Sequence, residues 1–491
     1  MKNKALLEKI RVLTAGLLVL AYGCSVGPNY QKPDLRVPST WNEARQDGVE
    51  TRSAELTRWW TAFKDPLLNS LVQRAIQSNL DLRFAEARIR EARASRAVTA
   101  AGEWPTVNVS GSYTRERFSQ NAFGSFSQGG SLGGTTGSAT GIGGFKLEQN
   151  LYKTGFDYSW EIDVFGGVRR SVEAADATLA ASVEDRRDVL VSLLGEVGKN
   201  YIDVRGFQRR IEVARANLTA QQETLDLTKV RFQAGLASDL EVAQAEGQLN
   251  TTAAQIPILE SGLKQAAYSL DVLVGSEPGA LWGELTTPAD IPALPPEVLI
   301  GLPSELLRRR PDIRRTERQL AAATAQIGAA TADLFPKFSL TGGLGLQSIS
   351  ASNWFSAGSR FWSIGPTISW PLFDAGKIRA NIEVRNAQQE QALVQYQKTI
   401  LTALQDVETS LVNYSREQAR YRSLVAAVAA NRRAVEMSNE LYIRGLNDFL
   451  NVLEAQRSLY ASESDLAQSE ATMASDLVSL YKALGGGWET P

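Results

Sequence analysis

Phe156-Asp157-Tyr158-Ser159-Trp160-Glu161-Ile162-Asp163-Val164 alternates without a break between apolar and polar side chains. Successive side chains of a β-strand point to opposite faces. This stretch therefore builds one face of Phe, Tyr, Trp, Ile and Val and another of Asp, Ser and Glu. The pattern recurs at 362–372, where Trp362, Ile364, Pro366, Ile368, Trp370 and Leu372 alternate with Ser363, Gly365, Thr367, Ser369 and Pro371. It recurs at 338–346 through Phe338, Leu340, Leu344 and Leu346, and more weakly through Val107, Val109 and Tyr113. Runs of about nine to eleven residues are long enough to cross a bilayer as tilted strands. A soluble β-sandwich is the competing reading, but four strands are too few for a sandwich with its own core. The rings of Tyr158, Trp160, Trp362 and Trp370 also sit where an aromatic girdle at a membrane interface needs them.

Four strands cannot close on themselves, since the smallest membrane barrels have about eight. Open edges would leave backbone N–H and C=O groups unpaired in lipid, at several kcal/mol each. The strands must therefore be completed by other chains. A dimer would give eight strands, filled by side chains, and a trimer twelve, with a passage. The acidic and hydroxyl face (Asp157, Glu161, Asp163, Ser363, Thr367) suits a wet lumen.

On either side of the strands the chain repeats itself. AGEWPTVNVSG at 101–111 matches ADLFPKFSLTG at 332–342, an offset of 231. Gly166-Gly167-Val168-Arg169 matches Gly376-Lys377-Ile378-Arg379, an offset of 210 that also carries Gly235-Leu236 onto Gly445-Leu446. The offset changes at a Gly/Ser-rich loop from about Gly124 to Gly144. Each copy opens with a helix: one near 66–101, capped by Asp65 with Pro66 at its first position, the other from Pro311-Asp312 to about Asp333. After two strands comes a very long helix, Val168 to Phe232 or Ile378 to Ile443, of about 65 residues or roughly 98 Å. Leu190, Leu194, Val197, Tyr201 and Val204 in the first, and Ile400, Leu404, Val407, Leu411 and Tyr414 in the second, follow coiled-coil spacing. Gln208 and Gln418 continue the phase as polar residues that set register or face water. Gly235 and Gly445 stop the helices. Ser238-Asp239-Leu240-Glu241 is a capping box for the first return helix, and Asn447 or Asp448 supplies the second cap.

The beginning of the chain reads as an export signal. Lys2, Lys4, Lys9 and Arg11 precede an apolar run Val12–Ala21, then Gly23 and Cys24. The run is too short to span a bilayer as a helix, and cleavage before Cys24 would expose a cysteine for lipid attachment. Ala21 stands where lipoprotein signals usually have Leu. No later segment reads as a transmembrane helix. Of the chain's 491 residues none is His and one is Cys, which removes the usual general base, His-ligated metals and any intramolecular disulfide. The formal net charge is −2, and removing residues 1–23, with four basic residues and one acidic, leaves −5; neither suits a nucleic-acid partner. Gly198-Lys199 and Gly376-Lys377 lack the other residues of a phosphate-binding loop. Scattered carboxylates leave only a remote carboxylate-pair enzyme reading.

Taken together, Cys24-Ser25-Val26-Gly27-Pro28-Asn29-Tyr30-Gln31-Lys32-Pro33, Trp59-Trp60-Thr61-Ala62-Phe63-Lys64-Asp65-Pro66, the run from Leu302 to Ile313 and the two glycine tips are highly specific. With them, nearly the whole chain resembles the TolC-like outer membrane factors, in particular the lipoprotein branch (NodT/OprM type) serving resistance-nodulation-division efflux systems. The resemblance implies an α+β membrane protein: a homotrimeric outer-membrane β-barrel with four strands per chain, continued by a periplasmic α-helical tunnel. It implies a passive conduit with no catalysis and no cofactor beyond a covalent lipid on Cys24. The implied partners are a periplasmic membrane-fusion adaptor protein, an inner-membrane resistance-nodulation-division transporter and outer-membrane lipid. The segments follow: signal 1–23, N-terminal segment 24–64, first repeat 65–280, linker 281–301, second repeat 302–484 and tail 485–491.

By the same resemblance Tyr442, Leu450 and Glu454 fall at a periplasmic gate, with Leu450 a hydrophobic plug and Glu454 a carboxylate ring. From the residues alone Leu450 reads equally as heptad core and Glu454 as a solvated charge. Arg444 and Arg457 would pair with nearby carboxylates to lock the tips. Gly235, Leu236, Gly445 and Leu446 are the expected adaptor-docking tips, where a bare glycine turn allows close approach. A protein-secretion conduit of a type I exporter is the alternative function. The absence of His and the presence of three Met give no sign of a copper or silver relay.

Overall fold

The computed structural model describes residues 25–34, 36–43, 49–50, 56–117, 148–295 and 298–488. The signal at 1–23, Cys24 and the Gly/Ser insert lie outside the described residues. In chain order the elements are β1 (Val49–Glu50), α1 (Pro66–Ser78), α2 (Leu80–Ala100), β2 (Thr106–Arg117), β3 (Glu148–Ile162), α3 (Gly167–Gln233), α4 (Asp239–Leu273), β4 (Val298–Leu299), α5 (Pro303–Arg309), α6 (Pro311–Ala332), β5 (Lys337–Ser348), β6 (Arg360–Ser369), α7 (Lys377–Ile443) and α8 (Phe449–Ala483). The two long helices have 67 residues each and the two return helices 35 each. No helix among the described residues is long and apolar enough to cross a membrane.

The chain divides into two units. The first, Met1–Tyr30, Ala94–Asp176 and Ala321–Glu390, holds an antiparallel sheet in the order β2-β3-β5-β6. The strands are 12, 15, 12 and 10 residues long, so the expected nine to eleven is exceeded in three of them. The run expected at 156–164 is the last part of β3, which begins eight residues earlier and ends at Ile162; Asp163 turns inward to accept from the Arg169 N–H. The run expected at 362–372 ends at Ser369, ahead of Trp370-Pro371, because its neighbour β5 begins at Lys337, the residue that pairs with Ser369. Ser25–Asn29 is strapped to the start of α3: the Val26 N–H donates to Phe165 O at 3.2 Å. Buried Arg170 donates to Val26 O at 3.1 Å and Asn29 Oδ1 at 2.7 Å.

The second unit, Gln31–Arg93, Ala177–Leu320 and Gln391–Pro491, holds most of the helical residues. Its core is the pair of heptad seams. Leu194, Val197, Tyr201, Val204, Val407, Leu411 and Tyr414 are all buried, and Leu404 is half-buried. The single helix expected over 66–101 is broken at Asn79. Its side-chain oxygen accepts from the Asp81 and Leu82 N–H groups at 2.9 and 3.0 Å, capping a new helix, while its amide donates to Leu273 O. Asp65 caps α1 as expected and is itself held by the hydroxyl of buried Tyr201 at 2.6 Å. The segment 281–301 is more than a linker. It includes a helical turn at Trp282–Leu285, β4 pairs with β1 in parallel, and Gln208 donates to Leu285 O at 2.6 Å. Gln208 thus sets register by gripping a neighbouring segment. The tail is also fastened: the Trp488 indole donates to Arg309 O at 2.9 Å and lies between the guanidiniums of Arg187 and Arg314.

Candidate functional site

Two regions carry the residues expected to act, one in each unit. In the first, the register lines up one apolar face. Val107, Tyr158, Gly342 and Ile364 form one row across the sheet, and Val109, Phe156, Leu344 and Trp362 the next. These side chains have no core to enter: Leu344 is 61% exposed and Trp362 76%. Soluble proteins do not leave such a face to water. Asn108, Asp157, Gly343 and Ser363 line up on the opposite face, where Ser110 Oγ donates to Asp157 at 2.6 Å. β2 and β6 each have one neighbour, so among the described residues both outer edges of the sheet are unpaired.

The four residues expected to form a girdle share the apolar face but not one level. Trp160 and Trp370 anchor the end nearest the helices, each indole donating at 3.0 Å to a backbone carbonyl, of Glu103 and Leu334 respectively. Glu103 and Leu334 stand at the 231 offset and the two tryptophans at the 210 offset, so one contact occurs twice. Tyr158 lies flat over Gly342, where an added Cβ would come within 2.2 Å of its ring. Trp362 stands further towards the loop ends of the strands. A second aromatic level, missed in the sequence, consists of Tyr113 and Tyr152 with ring centroids 4.9 Å apart, joined by Trp354 and Phe355. Tyr152 lies before the strict alternation starts, and Trp354 lies in a loop, so neither carried a strand signal. Tyr152 and Trp160 are eight residues apart on β3, roughly 26 Å at about 3.3 Å per residue. That matches the apolar band of about 25 Å expected of a membrane barrel.

In the second unit the two glycine tips have the same geometry. The Gly235 N–H donates to Phe232 O and the Leu236 N–H to Arg231 O; the Gly445 and Leu446 N–H groups do the same to Tyr442 O and Leu441 O. This double bond pattern needs a left-handed residue, and the glycines have φ of +73° and +72°. Leu236 and Leu446 project exposed from the turns, and nothing would meet a Cβ at either glycine.

The tips differ in what fastens them. The first return helix has the expected capping box between Ser238 and Glu241. The second does not: Asp448 is the N-cap but its side chain makes no capping bond, while Asn447 Oδ1 accepts from the Asp448 N–H and the Asn451 amide. Tyr442 does not line an open surface. It is 3% exposed, packed with Leu225, Phe449, Val452 and Leu453, and its hydroxyl donates to Glu241 Oε2 at 2.9 Å. Burial, reinforced by that carboxylate, raises the hydroxyl above the ordinary tyrosine range and keeps it a donor. The Arg231 guanidinium covers the Tyr442 ring at 4.5 Å and donates to Ile443 O at 3.1 Å. Leu450 is 58% exposed and is not heptad core within this chain; Glu454 is also exposed. Arg444 pairs with Glu440 on its own helix. Arg457, expected to find a carboxylate, donates instead to the Gln248 amide oxygen at 2.7 Å. The sequence placed Glu241 in a cap but could not show its second partner, Tyr442, 201 residues away.

The chain matches the family model described as outer membrane efflux protein over residues 71–276 and 302–486. Nodulation protein T of Rhizobium leguminosarum bv. trifolii is 33% identical over 490 residues, covering 97% of both chains. The toluene efflux pump outer membrane protein TtgI of Pseudomonas putida is 32% identical over 494 residues, covering 98% of this chain and 99% of that one. The solved outer-membrane channel OprN is 37% identical with a TM-score of 0.86, over 95% of this chain and 100% of that one.

Proposed function

This chain belongs to the outer membrane efflux protein family, a family of channels rather than enzymes, and we propose that it is the outer-membrane channel of a tripartite pump. The observation that carries this is the sheet. Its apolar face is exposed, its opposite face is polar, and among the described residues both edges are unpaired, which supports a sheet completed by lipid and by strands of other copies. Three copies would give a twelve-stranded barrel with a wet lumen. The helices would then extend into the periplasm, and a lipid on Cys24 would add a second anchor.

Conduction would be passive and gated at the tips. Leu450 and Glu454, exposed on α8, are available to meet their copies around a threefold axis as plug and carboxylate ring. Tyr442 would act from behind them, tying the second hairpin to Glu241, with Arg457 adding a tie to Gln248. Leu236 and Leu446 would receive the hairpins of a membrane-fusion adaptor, which links the channel to a resistance-nodulation-division transporter. A relative named for toluene efflux favours small-molecule export over a protein-secretion conduit.

The test is photo-crosslinking at Leu236 and Leu446 in cells, with mass spectrometry of the captured protein and native sizing of the channel. A trimer joined to a periplasmic adaptor is the expected result, and the pump encoded with that adaptor would name the substrate class. A monomer, or a trimer joined to no adaptor, overturns the proposal. In cells lacking the pump, Leu450→Ala with Glu454→Ala should admit large antibiotics severalfold faster; unchanged permeability would remove these residues from the gate.

A further inference from the structure

The apolar face of the sheet is charged at one end only. By register, the strand residues on that face include four charged side chains: Arg115, Arg117, Glu148 and Arg360. All four stand at the loop ends of the strands, and all are exposed. Arg115 Nη2 lies 3.0 Å from Glu148 Oε2 and Arg117 Nη1 3.7 Å from Glu148 Oε1, so one carboxylate serves two guanidiniums and leaves them under-neutralised. Arg360, on the far strand of the sheet, adds a third cation. Just inside them lie the Tyr113 and Tyr152 rings, in contact and tilted to each other. At the other end Trp160, Ile162, Phe338 and Ile368 reach the helices with no charge on this face.

A membrane with the same headgroups in both leaflets gives no reason for cations on one rim alone. Guanidiniums above an aromatic level fit a leaflet whose headgroups carry phosphate monoesters, because the planar fork takes two phosphate oxygens at once. On the reading given above, the helices are periplasmic and the loop ends face outward. We propose that Arg115, Arg117 and Arg360 form a rim that binds the phosphates of a phosphorylated glycolipid in the outer leaflet, with Glu148 moderating the affinity. The inference rests on that orientation. Acyl chains would lie along Val109, Phe156, Leu344 and Trp362, and the phosphates would meet the arginines.

The test uses the purified full-length channel in mild detergent and native mass spectrometry. Three probes are titrated: bisphosphorylated lipid A, the same lipid with both phosphates removed, and phosphatidylethanolamine. Bisphosphorylated lipid A should bind at least tenfold more tightly than either other probe. R115Q/R117Q/R360Q should reduce the preference below threefold, and E148Q should increase it. Equal binding of phosphorylated and dephosphorylated lipid overturns the proposal, as does a triple variant that keeps the preference or an E148Q that weakens it. If the triple variant fails to assemble, R360Q alone decides: a preference as strong as wild type counts against the rim. Pore conductance in planar bilayers is measured in parallel. Intact conductance with lost lipid preference separates this rim from the channel reading, and no conductance in wild type would be a failure of the channel reading itself.

Discussion

The two hairpin tips have the same backbone and are fastened in opposite ways. The first closes on itself, with Ser238 and Glu241 capping each other across the start of α4. The second, with an N-cap that makes no bond, is held by the first: Tyr442 by Glu241, Ile443 O by Arg231 and Arg457 by Gln248. At the 210 offset, Phe232 is exposed where Tyr442 is buried, Asp239 stands where Phe449 is buried, and Gly247 stands where Arg457 reaches across. The same backbone turn has thus been used once as a support and once as a piece clipped to it. A few bonds hold the clip, so it is the second hairpin that comes free at the smaller cost.

Breaking the shared carboxylate should have the largest effect. Glu241→Ala keeps the Ser238 cap but removes the return bond from the Ser238 N–H, worth about 0.5 kcal/mol, and takes the acceptor from the buried Tyr442 hydroxyl at about 1–2 kcal/mol more. Both tips should exchange amide hydrogens faster, the second by tenfold or more. Tyr442→Phe should loosen the second tip alone; equal loosening of both would erase the asymmetry.

Asp476, on α8, sharpens the comparison further from the tips. At the 210 offset the first return helix has buried Ala266, whereas burial and the nearby Glu417 push the Asp476 carboxyl up to about 6. The folded chain then holds this proton more tightly than the unfolded chain does. Its contribution to stability is full below the ordinary aspartate range and is lost as pH rises through about 6. Asp476→Asn should add about 1 kcal/mol at neutral pH, discounted because the side chain is only half-buried, and should flatten the dependence between pH 4 and 6. Thermal unfolding across that range checks both.

The smallest effect should come from transplanting the missing box. Asp448→Ser with Asn451→Glu gives the second tip the chemistry of the first and should slow its exchange by an amount worth about 0.5 kcal/mol. If the gain is absent, the difference between the tips lies in their surroundings and not in their caps.

What the sequence made legible is what repeats locally. Alternation marked the strands, heptad spacing the seams and Gly235 with Ser238 the first tip, because each signal is complete within a dozen residues. Local patterns are silent where a long-range partner decides. Asn79 lies in a helical pattern and breaks it by capping Leu82 while reaching Leu273; Gln208 looked indifferent until Leu285 O met it. Tyr152 extended β3 because Ser348 and Tyr113 pair with it, beyond any alternation of its own.

The middle of the sheet also fixes a timetable. β2 and β3 form a hairpin once Ile162 has been made, but the pairing of β3 with β5 waits for residues that begin at Lys337. At about 5–20 residues per second that is roughly 10–35 s of synthesis, and longer if export intervenes. Throughout it, β3 has one edge without its neighbour and an apolar face without lipid, the condition in which strands aggregate. The order of synthesis thus makes the interval before Lys337 the one in which the first hairpin is most exposed to wrong pairing.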